Sequence, residues 1–214
     1  MADIPELLGR RRAIRKFKMD EIPEPVLRKL IAAATLAPSA MNEQPWQFAV
    51  VSDGALLNDI SRRAKSWLLE NDGPLAQNER LRGELSDPGF QIFHHAPALI
   101  VIATRSRSRW AALDCALAAQ NLMLAASAMD LGTCWIGMAE GWLNSSDGRK
   151  AIGLPPDALV VAPIVVGKPA EAPAAHVSHT PMIAWTRDGG EQQEENGNRH
   201  TEPVHSLYGR PIGI

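Results

Sequence analysis

The sequence predicts a central β-sheet that is covered on both faces by helices. First, "APALIVIAT" (96–104) and "DALVVAPIVVG" (157–167) are almost continuously apolar over the length of a strand, as expected for strands buried on both faces. Second, the segments between the candidate strands carry apolar residues at helical spacing. The chain has 214 residues, of which 45% are hydrophobic, so one domain with an ample core is expected.

Three candidate elements come first along the chain. Apolar residues at helical spacing between 26 and 34 predict a helix, which Pro38 ends. The run "WQFAVVS" (46–52) carries the aromatic and β-branched residues typical of a strand, and "ALLNDISRRAKSWLLE" (55–70) returns to helical spacing. The order from the amino end is therefore helix, strand, helix.

Residues 71–89 interrupt this pattern. They are polar and contain three glycines and two prolines, so we expect a mobile excursion rather than part of the core. Between the two apolar strands, an Ala-rich helix reaches Met129, and a short helix in "GRKAIGLPP" (148–156) ends at Gly153. Helices must therefore cover both faces of the sheet.

The carboxyl-terminal part differs in composition. Apolar periodicity is lost beyond Pro169, and "DGGEQQEENGNRH" (188–200) is polar throughout. We therefore predict a domain over residues 1–170 and an extended C-terminal arm over residues 171–214. Scattered apolar residues would anchor the arm on the domain or on a partner subunit.

Charge and cysteine content narrow the class of protein. The formal net charge is −2, and the first thirty residues lack the apolar run of a secretory signal, so we expect a cytoplasmic protein. Cys115 and Cys134 are too far apart for a CxxC motif and have apolar surroundings, which predicts buried, reduced thiols. The apolar stretch 111–129 contains an aspartate, a glutamine and an asparagine, so a buried helix is favoured over a membrane span.

The cluster "RRRAIRKF" (10–17) concentrates cations in a nearly neutral chain. Arg11, Arg12 and Arg15 lie close enough in sequence to converge on one phosphate monoester, for which the guanidinium fork is suited. A solvated charged segment is the alternative. Nucleic acid is disfavoured because the charge is confined to one segment without interleaved aromatic residues. A small phosphorylated ligand is therefore the preferred anion.

Two further stretches suggest a binding site. The segment "APSAMNEQPWQF" (37–48) places prolines around small and amide side chains, which predicts a tight turn or a binding loop. In "LGTCWIGMAEG" (131–141), small residues around Trp135 let the backbone approach a flat ligand, although core packing also explains Trp135 and Ile136. The chain lacks the glycine-rich dinucleotide motif, the P-loop and the GxSxG elbow.

Together, the three stretches resemble the FMN-dependent nitroreductase family. Its members carry an "RRSIRxF"-like start, an "APSxxNxQPWxFxVV"-like segment and a "GLGTCWIG"-like turn in this order, and the likeness extends from about Leu7 to about Pro169. The resemblance implies an α+β fold, a three-layer α/β/α sandwich with a mostly antiparallel sheet. It also implies a homodimer with two flavin pockets along its interface, so that residues 1–170 form the flavin-binding domain.

The resemblance also implies roles for individual residues. Arginines near the start would hold the FMN phosphate, without the hydroxyl contact of a serine that is common in the family. The loop would line the flavin from the second subunit, and the turn would border its reactive edge with a backbone N–H near N5. The implied cofactor-binding residues are Arg11, Arg12, Ala13, Arg15, Pro38, Ser39, Ala40, Met41, Asn42, Gln44, Trp135, Ile136, Gly137, Met138 and His179.

Histidines enter the prediction in two ways. Relatives often supply a late basic residue to the phosphate, and "AAHVSHT" (174–180) offers His179 in that place. A histidine contact there would make FMN retention better at lower pH. His94 and His95 are adjacent, so they point apart, and no nearby carboxylate completes a metal site. No metal is therefore predicted.

The implied chemistry belongs to the flavin: NADPH or NADH passes a hydride to N5, leaves, and is replaced by an acceptor on the same face. This predicts ping-pong reduction of nitroaromatics, quinones or similar conjugated acceptors, with selectivity in residues 71–89 and the C-terminal arm. Two alternatives stay open. One is a same-fold flavoenzyme with another reaction, such as reductive dehalogenation or consumption of the flavin; the other is a non-enzymatic flavin- or nucleic-acid-binding protein.

Overall fold

The structure, a computed structural model, describes residues 4–71, 79–173, 179, 181–185 and 193–194. Two compact units are distinguished. One is Arg10–Pro173, and the other is made of the flanking segments Met1–Gly9 and Ala174–Ile214. Most of the predicted C-terminal arm lies outside the described residues, so the division of the chain at residue 170 stays a prediction.

The predicted helices and strands follow one another in the order that the sequence suggests, together with further short helices and a further strand of the central sheet. The helices of the described residues are α1 (Ile4–Arg10), α2 (Glu24–Ala34), α3 (Gly54–Glu70), α4 (Glu79–Ser86), α5 (Ala111–Ala128), α6 (Glu140–Leu143) and α7 (Ser146–Ala151). The strands are β1 (Trp46–Val51), β2 (Ala98–Thr104), β3 (Gly132–Trp135), β4 (Leu159–Gly167), β5 (Ala184–Trp185) and β6 (Gln193–Glu194), of which the last two pair only with each other.

The central sheet has the strand order β1-β2-β4-β3, and its three pairings are antiparallel. Thr104 of β2 lies between Trp46 of β1 and Leu159 of β4. Strand β3 pairs with the other half of β4, where Trp135 lies opposite Ile164. Strands β1 and β3 therefore form opposite edges, and the mostly antiparallel sheet is confirmed.

Successive residues of β2 face two different helical layers. Leu99 and Val101 belong to an apolar cluster with side chains of α3 and α6, whereas Ile100 and Ile102 belong to a second cluster with α2 and α5. All residues of β2 are buried, as expected for a strand covered on both faces. The predicted three-layer α/β/α sandwich is therefore confirmed.

Residues 71–89 differ from the expectation in part. Residues 79–86 form α4, and Leu85 on this helix is only 1% exposed, within the cluster that also contains α3 side chains. The expectation of an excursion outside the core is therefore wrong for α4. The helix was not predicted because its sequence is mostly polar, with a single fully buried leucine. Most of the stability of so short a helix comes from tertiary packing, which the sequence pattern does not show. Residues 72–78 lie outside the described residues.

Helix α5 is the apolar stretch that could suggest a membrane span. By length and composition it could cross a membrane, but half of its 18-residue window, with a mean hydropathy of 1.3, is buried inside the protein. Its buried side chains pack with those of α2 and the sheet, which accounts for its composition. Cys115 on α5 and Cys134 on β3 are buried and form no disulfide, as predicted.

Candidate functional site

The basic segment, residues 11–15, runs alongside the edge strand β3. Ala13 forms a parallel bridge with Thr133, and the Ile14 N–H donates a hydrogen bond to the Thr133 carbonyl at 2.9 Å. The Ile14 side chain is buried against Gly132, where a Cβ atom would lie 2.7 Å from Ile14 Cγ1. Gly132 is therefore needed for close approach, and the buried Ile14 fixes the basic segment against the sheet.

The arginines of the basic segment are crowded cations. Arg11 and Arg12 are half-buried and Arg15 is exposed. Burial, followed by the charge of Arg11, lowers the pKa of the Arg12 guanidinium. Within the described ranges, no carboxylate lies within 4.0 Å of Arg11 or Arg15, whereas Lys16 pairs with Glu171 at 2.9 Å. Guanidinium groups such as those of Arg11 and Arg15, which have no described carboxylate nearby, are suited to bind an anion such as phosphate.

The pKa of the Cys134 thiol indicates where two of these guanidinium groups lie. Burial raises the pKa of the Cys134 thiol, and the charges of Arg15 and Arg11 act in the opposite direction. Both charges therefore lie near β3, the strand that leads into the turn around Trp135. The sequence prediction that the basic segment and this turn belong to one site is consistent with that placement.

The turn after β3 combines buried and open positions. Ile136 is 2% exposed, so its side chain belongs to the core and only its backbone is available to a ligand. Trp135 is 36% exposed, and a Cβ atom at Gly137 would meet no atom of the described residues within 4 Å beyond its two chain neighbours. Gly137 and Met138 begin a one-turn 3₁₀ helix, where N–H groups have no acceptor within the helix. The turn can therefore present backbone donors to a flat ligand.

The loop between α2 and β1, residues 38–45, has a strained backbone. Met41, Asn42 and Gln44 have φ values of 51°, 55° and 45°, in the left-handed region that favours glycine. Non-glycine residues in this region cost about 1–3 kcal/mol each, least for asparagine, and persist where their surroundings hold them. Most of this loop is exposed, and the Met41 side chain is 93% exposed. Strain at an exposed loop is typical of a binding site, although it does not identify a ligand.

Two polar side chains hold this loop. Ser39 Oγ accepts a hydrogen bond from the Gln44 N–H at 3.0 Å and closes the loop on itself. Asp114, which is 5% exposed on α5, accepts a hydrogen bond through Oδ1 from the Ala40 N–H at 3.2 Å. The loop is therefore fastened to α5.

Within one chain the loop and the basic segment lie at opposite edges of the sheet. The loop leads into β1, whereas the basic segment runs along β3, and β2 and β4 lie between these strands. Three strand spacings, about 14 Å, separate β1 from β3, and the basic segment lies one further spacing beyond β3. The turn at Trp135 lies with the basic segment, so one chain brings together the basic segment and the turn but not the loop.

The remaining sequence-predicted residues are less informative. Ala13 and Pro38 are exposed in the first unit. His179 is exposed and belongs to the flanking unit, so its predicted contact with the phosphate stays a prediction. In the described part of the chain, no three His, Cys, Asp or Glu side chains are grouped to hold a metal ion.

Two residues that sequence reasoning left out of the site are brought close to it. His94 is half-buried, and burial, then Arg15 and His95, lower the pKa of its imidazole, so His94 lies near the basic segment. Asp114 contacts the loop at Ala40. The sequence signal that could have indicated Asp114 is an acidic residue within an Ala-rich helix. No such signal exists for His94, because its position depends on how the loop before β2 folds.

Comparisons with known proteins find similar sequences over most of the chain. The nitroreductase family matches the chain over residues 8–168. A putative NADH dehydrogenase/NAD(P)H nitroreductase of Methanothermobacter thermautotrophicus is 30% identical over 172 residues, which cover 80% of each chain. The 5,6-dimethylbenzimidazole synthase of Rhodospirillum rubrum is also 30% identical, over 75% of this chain and 79% of its own.

A solved structure shares the fold. The nitroreductase with bound FMN from Bacteroides fragilis superimposes with a TM-score of 0.74 and covers 85% of this chain and 96% of its own. The two sequences are 24% identical, so the likeness concerns the fold.

Proposed function

This chain belongs to the nitroreductase family, and from that premise we propose that it is an FMN-dependent oxidoreductase. It takes electrons from NADPH or NADH and passes them to nitroaromatic, quinone or similar conjugated acceptors in a ping-pong cycle. The observation that carries the proposal is the basic segment. Arg11 and Arg15 lie along β3, the strand that leads into the turn at Gly137, with no carboxylate within 4.0 Å in the described ranges.

The residues present fit FMN at both of its ends. Arg11, Arg12 and Arg15 would bind the phosphate, because their forked donors match its oxygens and no described carboxylate neutralises Arg11 or Arg15. At the other end, the open position of Gly137 lets a flat ring approach the backbone, and the N–H of Gly137 or Met138 would orient the ring near N5. When bound, FMN supplies the two-electron chemistry, and the protein supplies position and positive charge.

We further propose that the enzyme works as a homodimer with two shared sites. The loop at Met41 and Asn42 leads into β1, and four strand spacings, about 19 Å, separate β1 from the basic segment beside β3 within one chain. A second copy related by two-fold symmetry would allow the loop of one subunit to complete the site of the other. Leu113 and Leu117 on α5 are 57% and 45% exposed, which suits burial against that second copy.

The first test is the visible absorption spectrum of the protein after FMN is added and the excess removed. We expect a retained flavin band that bleaches under anaerobic NADPH or NADH. Retention without bleaching would mean flavin binding without reduction by either donor. If no flavin is retained at any pH near neutrality, the basic segment has another ligand and the proposal is wrong.

Replacing Arg15 tests the phosphate assignment. Arg15→Ala should raise the Kd for FMN at least about tenfold, because a hydrogen bond to a charged group contributes about 1.5–3 kcal/mol. Lys18→Ala is a matched control, since Lys18 is an exposed cation just after the basic segment that we do not place at the phosphate. Fluorescence titration with FMN measures both. Equal affinities for wild type and the Arg15 variant would contradict the assignment.

A second function is favoured by the relative named 5,6-dimethylbenzimidazole synthase. A same-fold enzyme that consumes its flavin would deplete FMN during turnover, whereas an oxidoreductase that only cycles the flavin would return it intact. Chromatography of the released flavin after many turnovers distinguishes the two. A panel of nitroaromatic, quinone and halogenated acceptors then separates nitroreduction from reductive dehalogenation.

A further inference from the structure

We infer that Asp114 is a positioning residue that holds the loop at residues 39–44 in the conformation that lines the cofactor. The inference rests on the proposed function, because it concerns the loop that would form one wall of the FMN site. Asp114 lies on α5, more than seventy positions along the chain from the loop it contacts. It would act through the backbone of Ala40 and not by touching the cofactor.

The first observation is the burial of a carboxylate in an apolar layer. Asp114 is 5% exposed, and its neighbours on the buried face of α5, Ala111, Cys115 and Ala118, are apolar or weakly polar and at most 1% exposed. A buried carboxylate is costly unless it is well hydrogen-bonded, and an apolar residue at such a position often gives a more stable protein. Packing alone therefore does not explain an aspartate here.

The second observation is the contact that this carboxylate makes. Oδ1 accepts a hydrogen bond from the Ala40 N–H at 3.2 Å, and Oδ2 has no hydrogen-bond partner among the described residues. The carboxylate therefore has one identified protein contact in the described chain, and that contact is to the backbone of the loop. Asp114 therefore stabilises the loop rather than the rest of the core.

The third observation is where Ala40 stands in the loop. Ala40 begins the one-turn 3₁₀ helix Ala40–Asn42, and the preceding Ser39 makes no capping hydrogen bond to its first residues. Ser39 Oγ is engaged elsewhere, as the acceptor of the Gln44 N–H. The first N–H groups of a helical turn need an acceptor from outside. Asp114 provides from another element the contact that a capping residue usually provides from the same segment.

The fourth observation is the strained backbone of the loop, which needs contacts that keep it in place. Met41, Asn42 and Gln44 are in the left-handed region, and their side chains are exposed, so their own packing does not fix the backbone. Among the described residues, the other polar side-chain contact from outside the loop joins Ser106 Oγ to Glu43 Oε2 at 3.5 Å, a separation at the limit for a hydrogen bond. Asp114 is therefore the main polar tether of the strained loop.

The consequence concerns affinity for the cofactor. Without the tether, the loop would relax toward right-handed backbone, and FMN would have to order it again on binding. Asp114→Ala should therefore raise the Kd for FMN about tenfold. Asp114→Asn keeps an oxygen acceptor for the Ala40 N–H and should remain within about threefold of wild type.

The test is a fluorescence titration of the full-length apoprotein with FMN. Asn121→Ala is the matched control, because Asn121 lies on the same helix and its amide donates to Ala33 O, away from the loop. We expect weak binding for Asp114→Ala, near-normal binding for Asp114→Asn and unchanged binding for Asn121→Ala. Asp114→Ser, which is too short to reach Ala40 N, serves the same test if the alanine variant does not fold. Equal loss in the alanine and asparagine variants would overturn the inference.

A double-mutant cycle adds a readout that a general loss of stability would not give. Glycine adopts a positive φ without strain, so Met41→Gly should recover part of the affinity that Asp114→Ala loses. If the two substitutions instead add, or if Asp114→Ala leaves the FMN affinity unchanged, Asp114 does not hold the loop. If wild type itself does not bind FMN, the proposed function is wrong. The titration of wild type shows this before any variant is compared.

Discussion

At the scale of single residues, the candidate site depends on close approach and charge. Gly132 leaves space for Ile14, which keeps the arginines beside β3, and Gly137 leaves the backbone of the turn open. Neither thiol is suited to be a nucleophile, because burial raises the pKa of both Cys115 and Cys134. The residues near the site are therefore suited to bind and orient a cofactor that carries the reactive atoms.

Cys115 gives a prediction about pH. Burial, followed by the charge of Asp114, raises the pKa of the Cys115 thiol from 9.0 to about 12. The folded state then holds the proton more tightly than the unfolded state, so stability from this thiol is complete below pH 9.0 and is lost as pH rises toward about 12. The free energy of unfolding of wild type should fall by up to about 1.4 kcal/mol per pH unit in that window because of this thiol.

Urea unfolding at about pH 8 and about pH 10.5 measures the effect. Cys115→Ala and Cys115→Ser both remove the titrating thiol, and they differ in what they leave in the core. Both should therefore show a shallower fall with pH than wild type, whatever their absolute stabilities. Parallel curves for all three proteins would show that Cys115 titrates alike in the folded and unfolded states.

At the scale of elements, short segments are held by a few buried anchors. The basic segment has no helix or long strand of its own, yet Ile14 and Phe17 are each 8% exposed and fasten it beside the sheet. Helix α4 has the same design, since Leu85 is its only fully buried residue. Tertiary contacts of single apolar side chains decide the conformation of both segments.

Leu85→Ala tests whether α4 is part of the core. We expect a loss of about 2–5 kcal/mol in the free energy of unfolding, because the substitution leaves a cavity in a packed cluster. Arg80→Ala is the control, since the Arg80 side chain is 90% exposed on the same helix and its pair with Glu84 contributes little. Urea denaturation followed by circular dichroism compares them. A loss below about 0.5 kcal/mol for Leu85→Ala would mean that α4 is only loosely attached.

At the scale of the whole molecule, the arrangement of the site follows from the strand order. Strands β1 and β3 are opposite edges of one sheet, so the two segments that would enclose FMN start from opposite sides of a subunit. Exposed apolar side chains on α5 offer a surface for a second copy. The proposed dimer would therefore be a condition of cofactor binding.

Leu117→Glu tests that condition. A charge at this 45% exposed position of α5 should separate the subunits and lower FMN affinity together. Met19→Glu changes an apolar residue that is 79% exposed outside α5, and it should leave assembly unchanged. Analytical ultracentrifugation and FMN titration are made on the same samples. A wild-type monomer that binds one FMN per chain would contradict the shared site.

The sequence by itself determined the layers and the motifs of this protein. Apolar residues at helical spacing predicted α2 and α3, an Ala-rich composition predicted α5, and apolar, aromatic or β-branched runs predicted β1, β2 and β4. Burial on one or both faces selects these residues directly. The three motifs predicted membership of the nitroreductase family, which the family match confirms. These features are local in sequence, so they are readable without coordinates.

Only the tertiary structure decided which distant residues meet. The parallel bridge from Ala13 to Thr133, the approach of His94 to Arg15 and the hydrogen bond from Ala40 to Asp114 each join segments far apart in the chain. The buried role of Leu85 was hidden for the same reason. Such contacts depend on strand order and on how loops close. The spacing of residues along one segment determines neither of these.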